Sequence, residues 1–136
     1  MARILVDTSA WIEFYHPMGA RQVKQALGNA LEVHEIAVLA PIAVELLSGA
    51  KSEKDYGLLA ADLQALLWLP LGSEEAGVAG QLAYELARSG QRVPTVDLLI
   101  AGAALVHGCE LWHFGDAHFA TIAGHSPLQE HNLKSA

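Results

Sequence analysis

Arg3-Ile4-Leu5-Val6-Asp7-Thr8-Ser9-Ala10-Trp11 is the stretch on which the fold turns. Three consecutive bulky apolar residues stop abruptly at Asp-Thr-Ser, the pattern of a short buried strand. Thr8 or Ser9 can cap a helix that carries Ala10, Trp11, Ile12 and Phe14 and ends near His16-Pro17-Met18-Gly19, where Pro and Gly mark a turn. Outward from this unit the alternation repeats. Arg21 to Ala30 reads as a helix, Val33 to Leu39 as a strand and Pro41 to Ser48 as a short helix with Pro in its first turn. Ser52 to Leu66 has helical periodicity, and Leu67-Trp68-Leu69-Pro70 is a candidate strand. Ser73 caps a helix from Glu74 to Ser89, with acids at its start and Arg88 and Gly90 at its stop. Thr95 to His107 is the next helix, Glu110 to His113 the next strand, and a helical turn over Ala117 to Ile122 precedes a polar tail from Ser126 onward. Strands separated by helices in this order imply an α/β protein, a three-layer α/β/α sandwich around a central parallel sheet. Such sheets place ligand sites beyond the carboxyl ends of their strands, where Asp7 and Asp116 fall.

The 136 residues, 52% hydrophobic and 17% charged, suit one globular domain spanning 1–136. Apolar runs are broken by acids, Gly or Pro well short of the roughly 18 to 20 residues needed to cross a bilayer. Met1-Ala2-Arg3 leads straight into the first strand, so no export signal is expected, and the single cysteine, Cys109, cannot form an internal disulfide. The expected compartment is the cytoplasm. A net charge of −7 argues against wrapping duplex nucleic acid by counterion release alone. A phosphate ligand must be handled locally, by a divalent ion or by small basic groups such as Arg21 with Lys24, Lys51 with Lys54, or Arg88 with Arg92.

Glu45, in Ile42-Ala43-Val44-Glu45-Leu46-Leu47, and Asp97, in Val96-Asp97-Leu98-Leu99-Ile100-Ala101, are lone carboxylates in apolar helical stretches. A buried carboxylate costs several kcal/mol, about the penalty of an unpaired ion, unless something positive compensates it. No basic residue stands three or four positions away to do so. Each acid alone has an ordinary explanation: Asp97 sits in a first helical turn, Glu45 can reach solvent at a helix edge, and Asp7 and Asp116 can cap helices. Together, two acids at strand ends and two in apolar helices can converge on one rim of the sheet only if a cation holds them. Hard carboxylate oxygens point to Mg2+ or Mn2+, and such a site can activate water for in-line attack on a phosphodiester.

These motifs resemble the PIN-domain family, in particular its VapC-like toxins, over Ile4 to about Ile122. Ile-Leu-Val-Asp7-Thr-Ser-Ala-Trp resembles the opening strand and first acid, Ile-Ala-Val-Glu45-Leu-Leu-Ser-Gly the second, Val-Asp97-Leu-Leu-Ile-Ala-Gly-Ala-Ala the third, and Leu-Trp-His-Phe-Gly-Asp116-Ala-His118-Phe-Ala-Thr-Ile-Ala the fourth. The resemblance implies that Asp7, Glu45, Asp97 and Asp116 are the metal carboxylates, and that Thr8 or Ser9 orients them or meets the phosphate. It implies a Mg2+- or Mn2+-dependent endoribonuclease acting on RNA, usually a homodimer, the toxin of a pair whose DNA-binding antitoxin blocks the catalytic groove with its tail. Two positions depart from the pattern. His118 stands where relatives often have a second Asp, and Phe114 near where they have Thr or Ser. On the sequence alone His118 is read first as a helix-surface residue, ahead of a metal ligand or a phosphate donor.

Other readings fit less well. A phosphatase of the haloacid-dehalogenase kind needs a second acid two positions after the first, where Ser9 stands, and a receiver domain needs an adjacent acidic pair at the first strand end. His113, Asp116 and His118 match no strong zinc-ligand spacing. The alternative from another class is a non-catalytic PIN-like module that binds RNA or a partner without cutting. The presence of all four acids speaks against it, while the low basic charge keeps it open.

Overall fold

The computed structural model describes residues 1–135. A five-stranded sheet in the order β3-β2-β1-β4-β5, parallel throughout, is flanked by helices as a three-layer α/β/α sandwich. Its strands are β1 (Arg3–Val6), β2 (Glu35–Val38), β3 (Leu67–Trp68), β4 (Glu110–His113) and β5 (Glu130–Asn132). The helices are α1 (Thr8–Tyr15), α2 (Arg21–Val33), α3 (Ala40–Ser48), α4 (Glu53–Gln64), α5 (Ser73–Arg88), α6 (Thr95–Val106) and α7 (Ala117–Ala123). Ile4, Leu5 and Val6 are buried, as a central parallel strand covered on both faces requires. No helix is long and apolar enough to cross a membrane.

The sheet order places the site. From β1 the chain moves outward to β2 and β3, then returns to lay β4 against the other side of β1. The strand order therefore reverses between β1 and β4, and it is beyond the carboxyl ends at such a switch point that open parallel sheets place their ligand crevice. Asp7 immediately follows β1 there, its amide donating to the carbonyl of Trp112 on β4 at 2.8 Å.

Several element ends differ from their sequence reading. Asp7, not Thr8 or Ser9, caps α1, because its extended backbone turns its carboxylate onto the amide of Ser9 at 3.0 Å. Gly72 takes the cap position of α5, so Ser73 is its first helical residue, and the buried Glu75 accepts the Gly72 amide at 2.7 Å. This bond, the largest influence on it, together with His107 holds the Glu75 carboxyl below its ordinary range despite burial. α2 runs on to Val33, which shortens β2 to Glu35–Val38, and only Leu67 and Trp68 of the third apolar stretch pair as strand.

The largest departure is the C-terminal stretch. Its polar composition reads as a tail, yet β5 pairs parallel to β4 through Leu111↔Glu130, Trp112↔His131 and His113↔Asn132, and a 3₁₀ turn over Leu133–Ser135 buries Leu133. An edge strand open to solvent on one side tolerates polar side chains, so hydrophobic periodicity does not mark it.

α5 and α6 approach closely. A Cβ on Gly102 would stand 2.9 Å from the carbonyl oxygen of Glu75 and 3.1 Å from Cβ of Ala79, so only glycine fits that crossing without displacement.

Candidate metal centre

Four elements bring the four sequence-predicted acids to the crevice. Asp7 ends β1 and is buried. Asp97 lies in the first turn of α6 and is half-buried. Asp116 caps α7, accepting the amide of His118 at 2.9 Å. Glu45 projects from α3 and is exposed, so its charge carries little burial cost. The expectation that Glu45 sits in an expensive apolar setting is corrected: α3 buries Ile42, Ala43 and Leu46 on one face and leaves Val44 and Glu45 on the outer one.

The electrostatics of Asp97 tie the group together. Its carboxyl is pushed up to about 7, first by burial, then by the charge of Asp116 and a hydrogen bond with it, then by the charges of Asp7 and Glu45. All three other acids thus act on one carboxyl. Carboxylate oxygens of Asp97 and Asp116 and a ring nitrogen of His118 lie within 4.8 Å of one another, a spacing three ligands of one ion can have. His118, read from the sequence first as a helix-surface residue, is exposed on α7 and also stands beside these two acids. The cap bond between its amide and Asp116 is what brings the two side chains to the same end of α7.

Hydroxyls hold the acids in place. Ser9 donates its hydroxyl to Oδ2 of Asp7 at 2.6 Å and accepts the amide of Phe114 at 2.9 Å, which fastens the loop after β4 to the end of β1. Thr8 donates to Oε1 of Glu45 at 3.1 Å, linking α1 to α3. Both hydroxyls orient a carboxylate.

Sequence reading missed a further layer. Nδ1 of the buried His113 accepts the amide of Asp116 at 3.1 Å, and its Nε2 lies 3.0 Å from Oε2 of Glu130 on β5. Since Nδ1 accepts, Nε2 carries the proton and donates to Glu130. The only sequence signal for His113 is its position at the end of a strand. Glu130 has none, because its strand is not legible.

The basic groups divide. Lys24 donates to the carbonyls of Phe14 and His16, closing the end of α1. Arg88 lies over the Tyr84 ring. Arg92, Gln91, Thr95 and His118 line a cavity of about 730 Å³ together with residues of α5 and the start of α6.

The donor set fits a divalent ion. Hard oxygens from separate elements, with water completing the shell, are what Mg2+ and Mn2+ take, and a cation relieves the repulsion that raises Asp97.

Comparison with known proteins gives the chain its family. The PIN domain family matches residues 4–125. The chain is 35% identical to Ribonuclease VapC18 of Mycobacterium tuberculosis over 122 residues, covering 87% of this chain and 85% of that protein. It is 36% identical to Ribonuclease VapC11 of the same species over 131 residues, covering 93% and 96%. Among solved structures, VapBC2 from Rickettsia felis bound to a promoter DNA fragment superposes with a TM-score of 0.80 at 21% identity, covering 96% of this chain and 98% of that one. DNA-bound VapBC from Salmonella typhimurium gives 0.77 at 22% identity, covering 98% and 99%. The last two comparisons concern the fold alone, while the first three concern the sequence itself. On the family match and on curated relatives spanning nearly its whole length, the chain belongs to the PIN domain family, among its VapC-like toxins.

Proposed function

We propose that the chain is a Mg2+- or Mn2+-dependent endoribonuclease and the toxin of a toxin–antitoxin pair, with Asp7, Glu45, Asp97 and Asp116 as its catalytic and metal-holding carboxylates. The observation that carries this reading is the half-buried Asp97 carboxyl, pushed up first by its burial and then by the charges of Asp116, Asp7 and Glu45, which reach it from three other elements at the switch point of the sheet. Acids so placed bind a cation or remain strained.

A bound divalent ion supplies a water activated for attack on phosphorus and charge stabilisation of the leaving oxygen. The protein's own part is positioning. Ser9 and Thr8 hold Asp7 and Glu45 from below. The His113 ring holds the amide of Asp116 from the side. The cavity past His118 offers Arg92, Gln91 and Thr95 to the RNA strand on one side of the cleaved bond, which gives an acidic protein a local basic contact with phosphate.

Regulation follows from the same charges. A cluster of carboxylates is a socket for a guanidinium or ammonium group, and the antitoxin inhibits by inserting Arg or Lys there. Exposed apolar side chains of α3 and α4, Val44, Tyr56 and Leu58, are available for burial against a second copy in a homodimer. The work is done in the cytoplasm, where its RNA is.

The deciding experiment is cleavage of mixed RNA by metal-stripped protein, either restored with Mg2+ or Mn2+ or kept in EDTA. Cutting with metal and none with EDTA is expected. Binding without cutting under every condition favours the non-catalytic module instead.

A further inference from the structure

Six of the seven histidines have a partner for a ring nitrogen. His16 and His34 accept backbone amides, His125 meets the carbonyl of Thr121, and His107, His113 and His131 face Glu75, Glu130 and Glu110. Among the described residues the ring of His118 has none. Its nitrogen lies within 4.8 Å of oxygens of Asp97 and Asp116, and no ion pair joins it to either. The ring of this exposed residue is near enough to two carboxylates to share an ion with them and is bonded to neither.

We propose that His118 is a direct ligand of the divalent ion and makes the centre select Mn2+ over Mg2+. This rests on the metal-dependent reading above and deepens it. Mg2+ is small and hard, keeps its waters and takes oxygen ligands, so a neutral imidazole nitrogen in its shell gains little. Imidazole is a good donor to first-row transition ions, and even Mn2+, the weakest of them, accepts it more readily than Mg2+ does. A carboxylate in place of His118 adds anionic charge and strengthens both ions through oxygen, which erases the difference. The ratio of the two affinities, rather than either one, therefore reports the ligand.

Two measurements on the full chain test this. Pulsed electron paramagnetic resonance of the Mn2+-loaded protein reads the nuclear coupling of a directly bound ¹⁴N, and competitive titration reads the Mn2+-to-Mg2+ affinity ratio. The parent should show the nitrogen coupling, and His118→Asp should lose it. The affinity ratio should drop by about tenfold or more in the variant, the scale on which groups around a metal tune its affinity. His118→Asn, which adds no charge, guards against a folding defect in the first variant and should also lose the coupling of the bound ring, and His125→Gln should keep it. If Mn2+ binds the parent without nitrogen coupling, His118 is not a ligand while the ribonuclease reading stands. If the coupling is present and the ratio is the same in parent and variant, the selectivity claim is wrong. If no Mn2+ binds at all, both the inference and the metal-dependent reading fall.

Discussion

The backbone amide of Asp116, in the turn after β4, donates at 3.1 Å to Nδ1 of His113, the last residue of that strand. The bond fixes the tautomer of His113, sends its Nε2 proton to Glu130, and so ties a carboxylate of the candidate centre to the last strand of the sheet.

His113→Leu should therefore destabilise the protein by about 1–3 kcal/mol, the cost of leaving the part-buried Asp116 amide and Glu130 carboxylate without their partner. It should also weaken Mn2+ binding, because Asp116 loses its anchor. Urea denaturation and metal titration check the two effects. A variant as stable as the parent, with unchanged metal affinity, would show that this layer has no positioning role.

Asp97 governs a pH dependence whose sign is definite. Its folded-state carboxyl keeps its proton to about pH 7, whereas the ordinary value is 3.8, so between these values the unfolded chain binds fewer protons than the folded one. The contribution of Asp97 to stability is whole below about 3.8 and is lost as pH rises through about 7. In EDTA the thermal midpoint should fall across this window, and Asp97→Asn should flatten the fall. A parent that gains stability over the same range with no difference from Asp97→Asn contradicts the raised carboxyl.

Asp116→Asn removes one charge from the cluster while preserving a good helix cap for α7. In EDTA it should melt above the parent, since repulsion is relieved, and with metal it should gain less. Metal a hundredfold above Kd stabilises the parent by about 2.7 kcal/mol if it binds only the folded state. Differential scanning calorimetry with and without millimolar Mn2+ reads both signs. An Asp116→Asn protein less stable than the parent in EDTA speaks for acids that do not interact.

The crossing of α5 and α6 separates packing from propensity. Gly102→Ala should cost about 1–3 kcal/mol, because the new methyl meets the Glu75 carbonyl and Ala79. Gly80→Ala, exposed in the interior of α5 with nothing near its Cβ, should instead stabilise by roughly 0.8–1.0 kcal/mol through helix propensity. Chemical denaturation of both checks the contrast. Equal effects would mean that the two helices do not approach as closely as Gly102 indicates.

Much of this was legible because the buried strands and apolar helices follow elementary periodicity. Ile4-Leu5-Val6 announces a central parallel strand, and Asp7 after it announces the end where ligands bind. Asp97 was legible as an acid too deep for its surroundings. Glu45 was singled out for a burial it does not have, since α3 is a thin helix with one buried face and the periodicity of a nearly all-apolar run does not say which side is out. β5, Glu130 and the ring of His113 were not legible, because an edge strand of polar residues has no hydrophobic signature and the bond between His113 and Glu130 spans 17 positions. His118 was discounted because its meeting with Asp97 depends on how α7 packs against α6, a tertiary relation.

The claim that these residues form one metal centre is tested most directly by anomalous scattering from Mn2+-soaked crystals of the full chain. The account predicts a single strong anomalous peak in the crevice beyond β1 and β4, with oxygens of Asp97 and Asp116 about 2.0–2.6 Å away, the range of bonds from carboxylates to hard divalent ions. A peak bound elsewhere on the surface, or no peak in a crystal equilibrated with millimolar Mn2+, contradicts it.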